Sequence, residues 1–450
     1  MDLEYPDPGT SNSPGGGRIT SIDALRGLTM FTMIFVNDIA GVSHEIVPWW
    51  MRHYPPNTNG MTFVDLVFPA FLFIVGMSIP LALGRRLSKG EPVWKAFLHV
   101  GTRVLSLLFI GILMVNETPD TEKMGWSGAL WVTLMYLGAI LAFCSITPRW
   151  LTRRSTIGAQ IWRGISLVLR MLGFAALVYL AIVFVAEDDH RIITFKPFSV
   201  HTEWYGILGL IGWAYLVGAL TFLCFRTRRT ALLGCVVLLM CLYPADRTGV
   251  LRDFLVYVSD YICKGITSQS AKSVAEMLPA ALDYVGVGEA LGSQAAITVA
   301  GVLLATILLT RDTAALGARI RFTLLFVSGF AASALLLHGY GIDKNSATPS
   351  WCLWACAITG AIWLACHTLC DLCPGNWIAK PIAAAGENVL LAYLISEMLP
   401  SVIELLGLGA WYKHLAEPTL LCAIARSTGC AAIILLLSAL LNRAGFRLKL

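Results

Sequence analysis

Apolar runs long enough to cross a lipid bilayer recur along almost the whole of this 450-residue chain. A hydrocarbon core about 30 Å thick is spanned by about 20 predominantly apolar residues in a helix. Such runs lie near 22–41, 62–84, 96–115, 127–147, 164–186, 204–225, 230–245, 287–310, 320–338, 350–370, 381–404 and 418–441. Inside a bilayer each segment must satisfy its own backbone polar groups, so the runs predict helices. The expected fold is all-α, a polytopic transmembrane helical bundle of about 12 spans. Composition agrees: 57% of residues are hydrophobic and 14% charged, too little charge to cover a soluble surface of this size. The shortest run is ALLGCVVLLMCLYP near 230–245, and losing it would invert everything that follows.

Charge sets the sidedness. RRLSKGEPVWK, PRWLTRRSTIGAQIWR, RTRRT, RDTAALGARIR and the tail NRAGFRLKL fall on one set of connections. NETPDTEKMGW, EDDHRIITFKPFSVHTEW and the 245–286 stretch fall on the other, where acids offset bases. The positive-inside rule then puts both termini in the cytoplasm. Residues 1–17, polar and rich in Gly, Pro and Ser without an apolar core, read as a disordered cytoplasmic tail and not a signal peptide. Residues 18–450 form one membrane domain with an outer helical insertion near 245–286. The 12 cysteines sit mostly in apolar stretches, as packing residues do. The cluster Cys366-His367-Thr368-Leu369-Cys370-Asp371-Leu372-Cys373 lacks the spacing of a zinc site, and no metal is expected. Nothing points to nucleic acid; the expected partner is the lipid bilayer.

Polar residues in or beside a span are costly unless they face the bundle or a watery cavity. Asp23 and Arg26, three apart at the cytoplasmic end of the first run, can pair on one face. Asn37 and Asp38 close that run, and the loop after it holds His44, Trp49, Trp50, His53, Tyr54, Pro55, Pro56, Asn57, Asn59 and Gly60. Aromatics alone would mark an interfacial belt; with two histidines, amides and a rigid Pro-Pro they suit the wall of a polar site. Asp65 opens the next run, either as a helix-dipole partner or as a site residue. Glu387, Asn388, Tyr393 and Glu397 lie in GENVLLAYLISE, with Tyr393 and Glu397 on one face and Glu397 approaching the outer interface. Ser293 and Gln294, among small residues, suit interhelical hydrogen bonding.

These segments resemble the heparan-alpha-glucosaminide N-acetyltransferase family and its bacterial relatives. The likeness begins at SIDALRGLTMFTMIFVN, runs through the loop ending in Asn59-Gly60, and is strongest in DLVFPAFLFIVGMSI. It recurs at RVLSLLFIGILMVN, at DKNSATPSW and at Gly386-Glu387-Asn388 leading to Tyr393. Members of that family carry acetyl groups from cytosolic acetyl-CoA to an amino sugar across the membrane. The resemblance implies that Asn37 and His53 match the family's active-site asparagine and histidine. The loop here is longer than the family's, which leaves His44 as a competing assignment. Ser396 stands where the family tends to have a histidine. Without the large luminal domain of the lysosomal enzymes, the chain is similar to bacterial relatives, which implies a bacterial inner membrane; related proteins are expected to form homodimers.

On this reading His53 is a general base or an acyl-accepting nucleophile, since histidine ordinarily titrates at about 6.5. Asn37 would donate to the developing oxyanion. Asp65, Asn59, Tyr393, Glu397 and Trp50 would contact the acceptor, an amino sugar or glycan. Arg26, Arg85 and Arg103, with Asn388, would contact acetyl-CoA, whose phosphates also suit Arg86, Arg149 or Arg153. The alternative is a transporter for a sugar or related solute, which twelve spans with Gly and Pro interruptions would suit. Against it, the halves show no repeat, and the polar residues gather at the two faces more than at mid-depth.

Overall fold

The computed structural model describes residues 19–116, 118–146, 156–196, 198–265, 285–313, 315–372, 379–417 and 419–448. The chain is mostly helical, with α1 Thr20–Ile39, α2 Val67–Ser88, α3 Val93–Val115, α4 Gly128–Phe143, α5 Thr156–Val183, α6 Gly206–Phe225, α7 Arg229–Arg247 and α8 Val250–Gly265. There follow α9 Gln294–Leu309, α10 Leu316–Leu336, α11 Pro349–Cys370, α12 Ala379–Ala385, α13 Val389–Leu405, α14 Gly409–His414 and α15 Leu420–Ala444. Among the described residues four three-residue strands make two small antiparallel pairs: β1 Cys144–Ile146 with β4 Phe446–Leu448, and β2 Ile193–Phe195 with β3 Phe198–Val200.

A helix occupies each of the predicted runs. Among the described residues nine helices are long and apolar enough to cross a membrane. The 230–245 run is one of them, because α7 continues through Pro244 to Arg247. Gly128–Phe143 is shorter, since the predicted run ends early where Cys144 leaves the helix to pair with Leu448. The 381–404 run is broken: α12 ends at Ala385 and α13 starts at Val389. Glu387 and Asn388 therefore precede the helix in which the pattern placed them. Gly386 lies at the break, in backbone contact with α1: a Cβ there would lie 2.0 Å from the Asp23 carbonyl oxygen. The N-terminal 17 residues, Arg149, Arg153 and most of the latter half of the 245–286 insertion lie outside the described residues; α8 is the part of that insertion described.

The chain divides into two compact units. The described part of one comprises Tyr54–Val104 and Leu210–Ala365; the other comprises Arg18–His53, Leu105–Gly209 and Cys366–Leu450. The first is built around α9. Its sequence QAAITVAGVLLATILL is apolar on all sides, and such a helix belongs in a core; every residue of it except Leu308 is buried. It packs on α2 at backbone contact: a Cβ on Gly76 would meet Thr298 O at 1.9 Å, and one on Gly301 would meet Phe73 O at 2.1 Å. Small residues permit such an approach, and Thr298 Oγ1 donates to Leu72 O at 3.1 Å across it. Gly76→Ala and Gly301→Ala are each expected to force the helices apart and lower stability by about 1–3 kcal/mol. Thermal unfolding in detergent checks this, with the double variant costing less than the sum because both sites share one contact. Of the polar pair at the head of α9, Ser293 Oγ donates to Ala347 O at 2.7 Å, whereas Gln294 Oε1 is buried without a hydrogen-bond partner.

In the second unit α1 packs on α12, α13 and α15, while α4 packs on α5 and α13. Long stretches of α5 turn apolar side chains outward, including Leu167, Met171, Leu172 and Tyr179. Apolar faces of that size suit a lipid environment and not water.

Candidate functional site

In the second unit the last turn of α1 carries two adjacent polar residues that point to different partners. Asn37 Nδ2 donates to Glu397 Oε1 at 2.8 Å. Tyr393 lies buried one turn before Glu397 on α13. Asp38 faces α15 and α14: its carboxylate accepts from Arg426 Nε at 3.1 Å, Ser427 Oγ at 2.6 Å and the Tyr412 hydroxyl at 2.5 Å. Arg426 also donates to Asp38 O at 2.9 Å and lies over the Tyr412 ring, 4.6 Å from its centroid. The two charged side chains are 7% and 11% exposed, so each needs the other. Burial, and then its bond to Asp38, hold the Tyr412 phenol well above its usual range. Successive helical residues are about 100° apart, so clamping Asp38 to Arg426 fixes the rotation at which Asn37 meets Glu397.

The loop after α1 is held by packing and by one arginine. Val47 and Met51 bury against Ile39, with Phe35, Val42, Leu420 and Ile424 around them. Arg52 donates to the carbonyls of His44 and Val47, and its Nη1 lies 2.8 Å from His44 Nδ1. Arginine only donates, so His44 Nδ1 accepts and its ring is committed to the loop. His53 and Trp50 are exposed. The chain passes from one compact unit to the other directly after His53.

In the first unit Asp65 is 1% exposed and organises the rest of the loop. It accepts from Tyr54 N at 3.1 Å, Thr62 N at 3.0 Å and Thr62 Oγ1 at 3.4 Å, with Lys344 Nζ at 3.8 Å. Asn59 Oδ1 accepts from Ile342 N at 2.8 Å, and Gly60 N donates to Ile342 O at 2.9 Å. Asp65 and Asn59 are thus joined to the DKNSATPSW segment. Burial holds the Lys344 ammonium below its usual range, with Asp65 opposing the shift.

The cationic residues also divide. Arg26, in the second unit, pairs with Asp23 at 2.9 Å as the spacing predicts and reaches Gly386 O at 3.4 Å. In the first unit Arg85 and Arg86 end α2. Arg103 stacks on Tyr215 at 4.7 Å, and its Nε is buried without a hydrogen-bond partner. Arg86 and Arg103 both act electrostatically on His99 and Tyr215. Asn388 is buried in the second unit, where its amide donates to Phe446 O at 3.3 Å and accepts from Leu448 N at 3.4 Å. Its side chain therefore ties down β4. His367 Nδ1 lies 2.7 Å from Asp371, which accepts from Ser21 N at 3.0 Å; Cys373 lies outside the described residues.

Sequence reasoning named Asp38 without a partner and missed Arg426, Tyr412 and Lys344. Arg426 was findable, because an arginine within the apolar run LLCAIARSTGCAAIILLL demands a counter-charge.

Residues 18–119 match the family described as domain of unknown function (DUF5009). The chain is 34% identical over 109 residues to heparan-alpha-glucosaminide N-acetyltransferase of Homo sapiens, covering 24% of this chain and 15% of that protein. It is 34% identical over 126 residues to the Mus musculus protein of the same name, covering 28% of this chain and 18% of that protein. The chain thus spans less than a fifth of the length of these curated relatives, and over that stretch it resembles the heparan-alpha-glucosaminide N-acetyltransferase family, as its motifs indicate.

Proposed function

We propose that the protein is a transmembrane acyltransferase that moves an acetyl group from acetyl-CoA to an amino sugar or glycan on the far side of a bacterial inner membrane. The observation that carries this reading is the Asn37–Glu397 hydrogen bond, buttressed by Asp38 and Arg426. It holds an asparagine amide in a fixed direction at the end of α1, as an oxyanion donor must be held. An amide nitrogen has two hydrogens; Glu397 takes one and leaves the other for the thioester carbonyl oxygen.

In the transfer itself, the acceptor nitrogen attacks the acetyl carbon, the C–S bond breaks, and the CoA thiolate departs. His53 takes the proton that the acceptor loses, or first carries the acetyl group itself. The cation group of Arg85, Arg86 and Arg103 fits the phosphates of acetyl-CoA, Arg103 having an unpartnered buried N–H. In the second unit Trp50, Tyr393 and Glu397 contribute to the acceptor side.

Purified protein incubated with labelled acetyl-CoA and glucosamine is expected to release CoA only when acceptor is present, with label appearing on the sugar. No acceptor-dependent release, together with uptake of sugar by proteoliposomes lacking CoA, would establish a transporter instead.

A further inference from the structure

The connection between α5 and α6 contains His190 and His201, and folding stacks them. In the β2–β3 hairpin Ile193 pairs with Val200, and just beyond it His201 N donates to Ile192 O at 2.9 Å. This pairing sets the two imidazoles side by side, centroids 4.2 Å apart. Three non-glycine residues here adopt left-handed backbone: Asp189 at φ 66°, Glu203 at φ 46° and Tyr205 at φ 65°. Such conformations are costly outside glycine. Here they accompany a bend that brings the Glu203 carboxylate within 2.6 Å of His201 Nε2. One ring nitrogen of each histidine and one Glu203 carboxylate oxygen all lie within 4.8 Å of one another.

The hydrogen bonds around His190 ask for a cation. Asn116, 2% exposed at the end of α3, donates its amide hydrogens to Ile112 O at 2.7 Å and His201 O at 3.2 Å. Those two acceptors fix its orientation and leave Oδ1 facing His190 Nε2 at 3.1 Å. The other nitrogen, Nδ1, faces Asp188 Oδ1 at 2.5 Å, and that bond holds the Asp188 carboxyl below its usual range. Both nitrogens therefore face acceptors, whereas a neutral imidazole donates only once. A metal ion satisfies the same acceptors and needs both rings neutral.

We propose that His190, His201 and Glu203 bind a zinc-like divalent transition-metal ion, with Asn116 Oδ1 or a water in the fourth position. Two imidazoles and a carboxylate are a donor set that zinc accepts. Asp188 serves as the outer carboxylate that orients a ligating histidine through its Nδ1–H, leaving Nε2 to the ion. Zinc–nitrogen bonds are about 2.0–2.1 Å, so binding draws the three side chains inward and fastens the hairpin to the end of α3. Lys123 already makes a second fastening, donating to Asp189 Oδ1 at 2.8 Å. The site lies wholly within the second unit and is independent of the acyltransferase reading.

The test uses the full chain in detergent, stripped with a chelator and titrated with zinc chloride against a chromophoric competitor. One equivalent is expected to bind, with the thermal midpoint rising as it does. His201→Ala is expected to weaken binding at least about tenfold, as losing even an orienting partner of a ligand does. Glu203→Gln, an exposed and conservative change, does the same while leaving the hairpin folded. Cobalt(II) in place of zinc should give the visible absorption of a four-coordinate site. Zinc uptake that is undiminished in His190→Ala/His201→Ala, or no uptake by the stripped wild-type chain, overturns the proposal.

Discussion

His53→Ala is expected to abolish acetyl transfer, with a loss of at least about 100-fold, while the protein stays folded. General acid–base catalysis by a positioned side chain contributes about 10²–10⁴-fold, and more is lost if the imidazole itself carries the acyl group. Stability should hold because His53 is exposed at the end of its loop, where substitutions usually change it by less than about 0.5 kcal/mol. The rate of CoA thiol release, measured beside the size-exclusion profile, checks both halves. His44→Ala is the informative control. His44 accepts from Arg52 and helps shape the loop, so its loss should cost a few-fold in activity at most. Normal turnover in His53→Ala would remove that residue from the mechanism, and a collapse confined to His44→Ala would transfer the role.

Asp38→Ala should be the most destabilising single polar substitution in the second unit, by about 3–5 kcal/mol. Removing one partner of a buried ion pair strands the other charge, and this costs far more than the pair itself contributes. The guanidinium of Arg426 would keep the Tyr412 carbonyl but lose both the carboxylate and its share of a network that includes Ser427. Arg426→Ala should cost a similar amount. Asp38→Asn with Arg426→Met should recover much of the loss, since two neutral groups leave no stranded charge; additive costs in that double variant would show that the pair is not coupled. Activity should fall in Asp38→Asn even at temperatures where it is folded, because α1 can then rotate and Asn37 lose its register with Glu397.

The helices were legible because the bilayer imposes one period and one length. Their ends were less so where tertiary contacts decide. Nothing local in the chain says that Cys144 leaves a helix to pair with Leu448, or that the Asp23 backbone lies against Gly386. Among the site residues, the Asp23–Arg26 pair follows from spacing along one helix. The Asn37–Glu397 and Asp38–Arg426 contacts join residues 360 and 388 positions apart, so only the expense of polar groups in apolar runs could hint at them. Asn388, expected on the same ground to contact acetyl-CoA, hydrogen-bonds the strand at Phe446 and Leu448. The histidines of the α5–α6 connection sit in a polar loop, where no such expense singles them out; hairpin register alone stacks them.

The ion pair between the first long helix and the last also bears on how the chain is made. Ribosomal synthesis delivers α1 well before α15, so Asp38 waits for its counter-charge until 388 further residues have been translated. All of Tyr54–Val104 and Leu210–Ala365 has by then emerged, and that unit has its full set of helices while the other still lacks its closing segment. A nascent chain halted before Arg426 would keep the Tyr412 donor to Asp38 and lack the guanidinium.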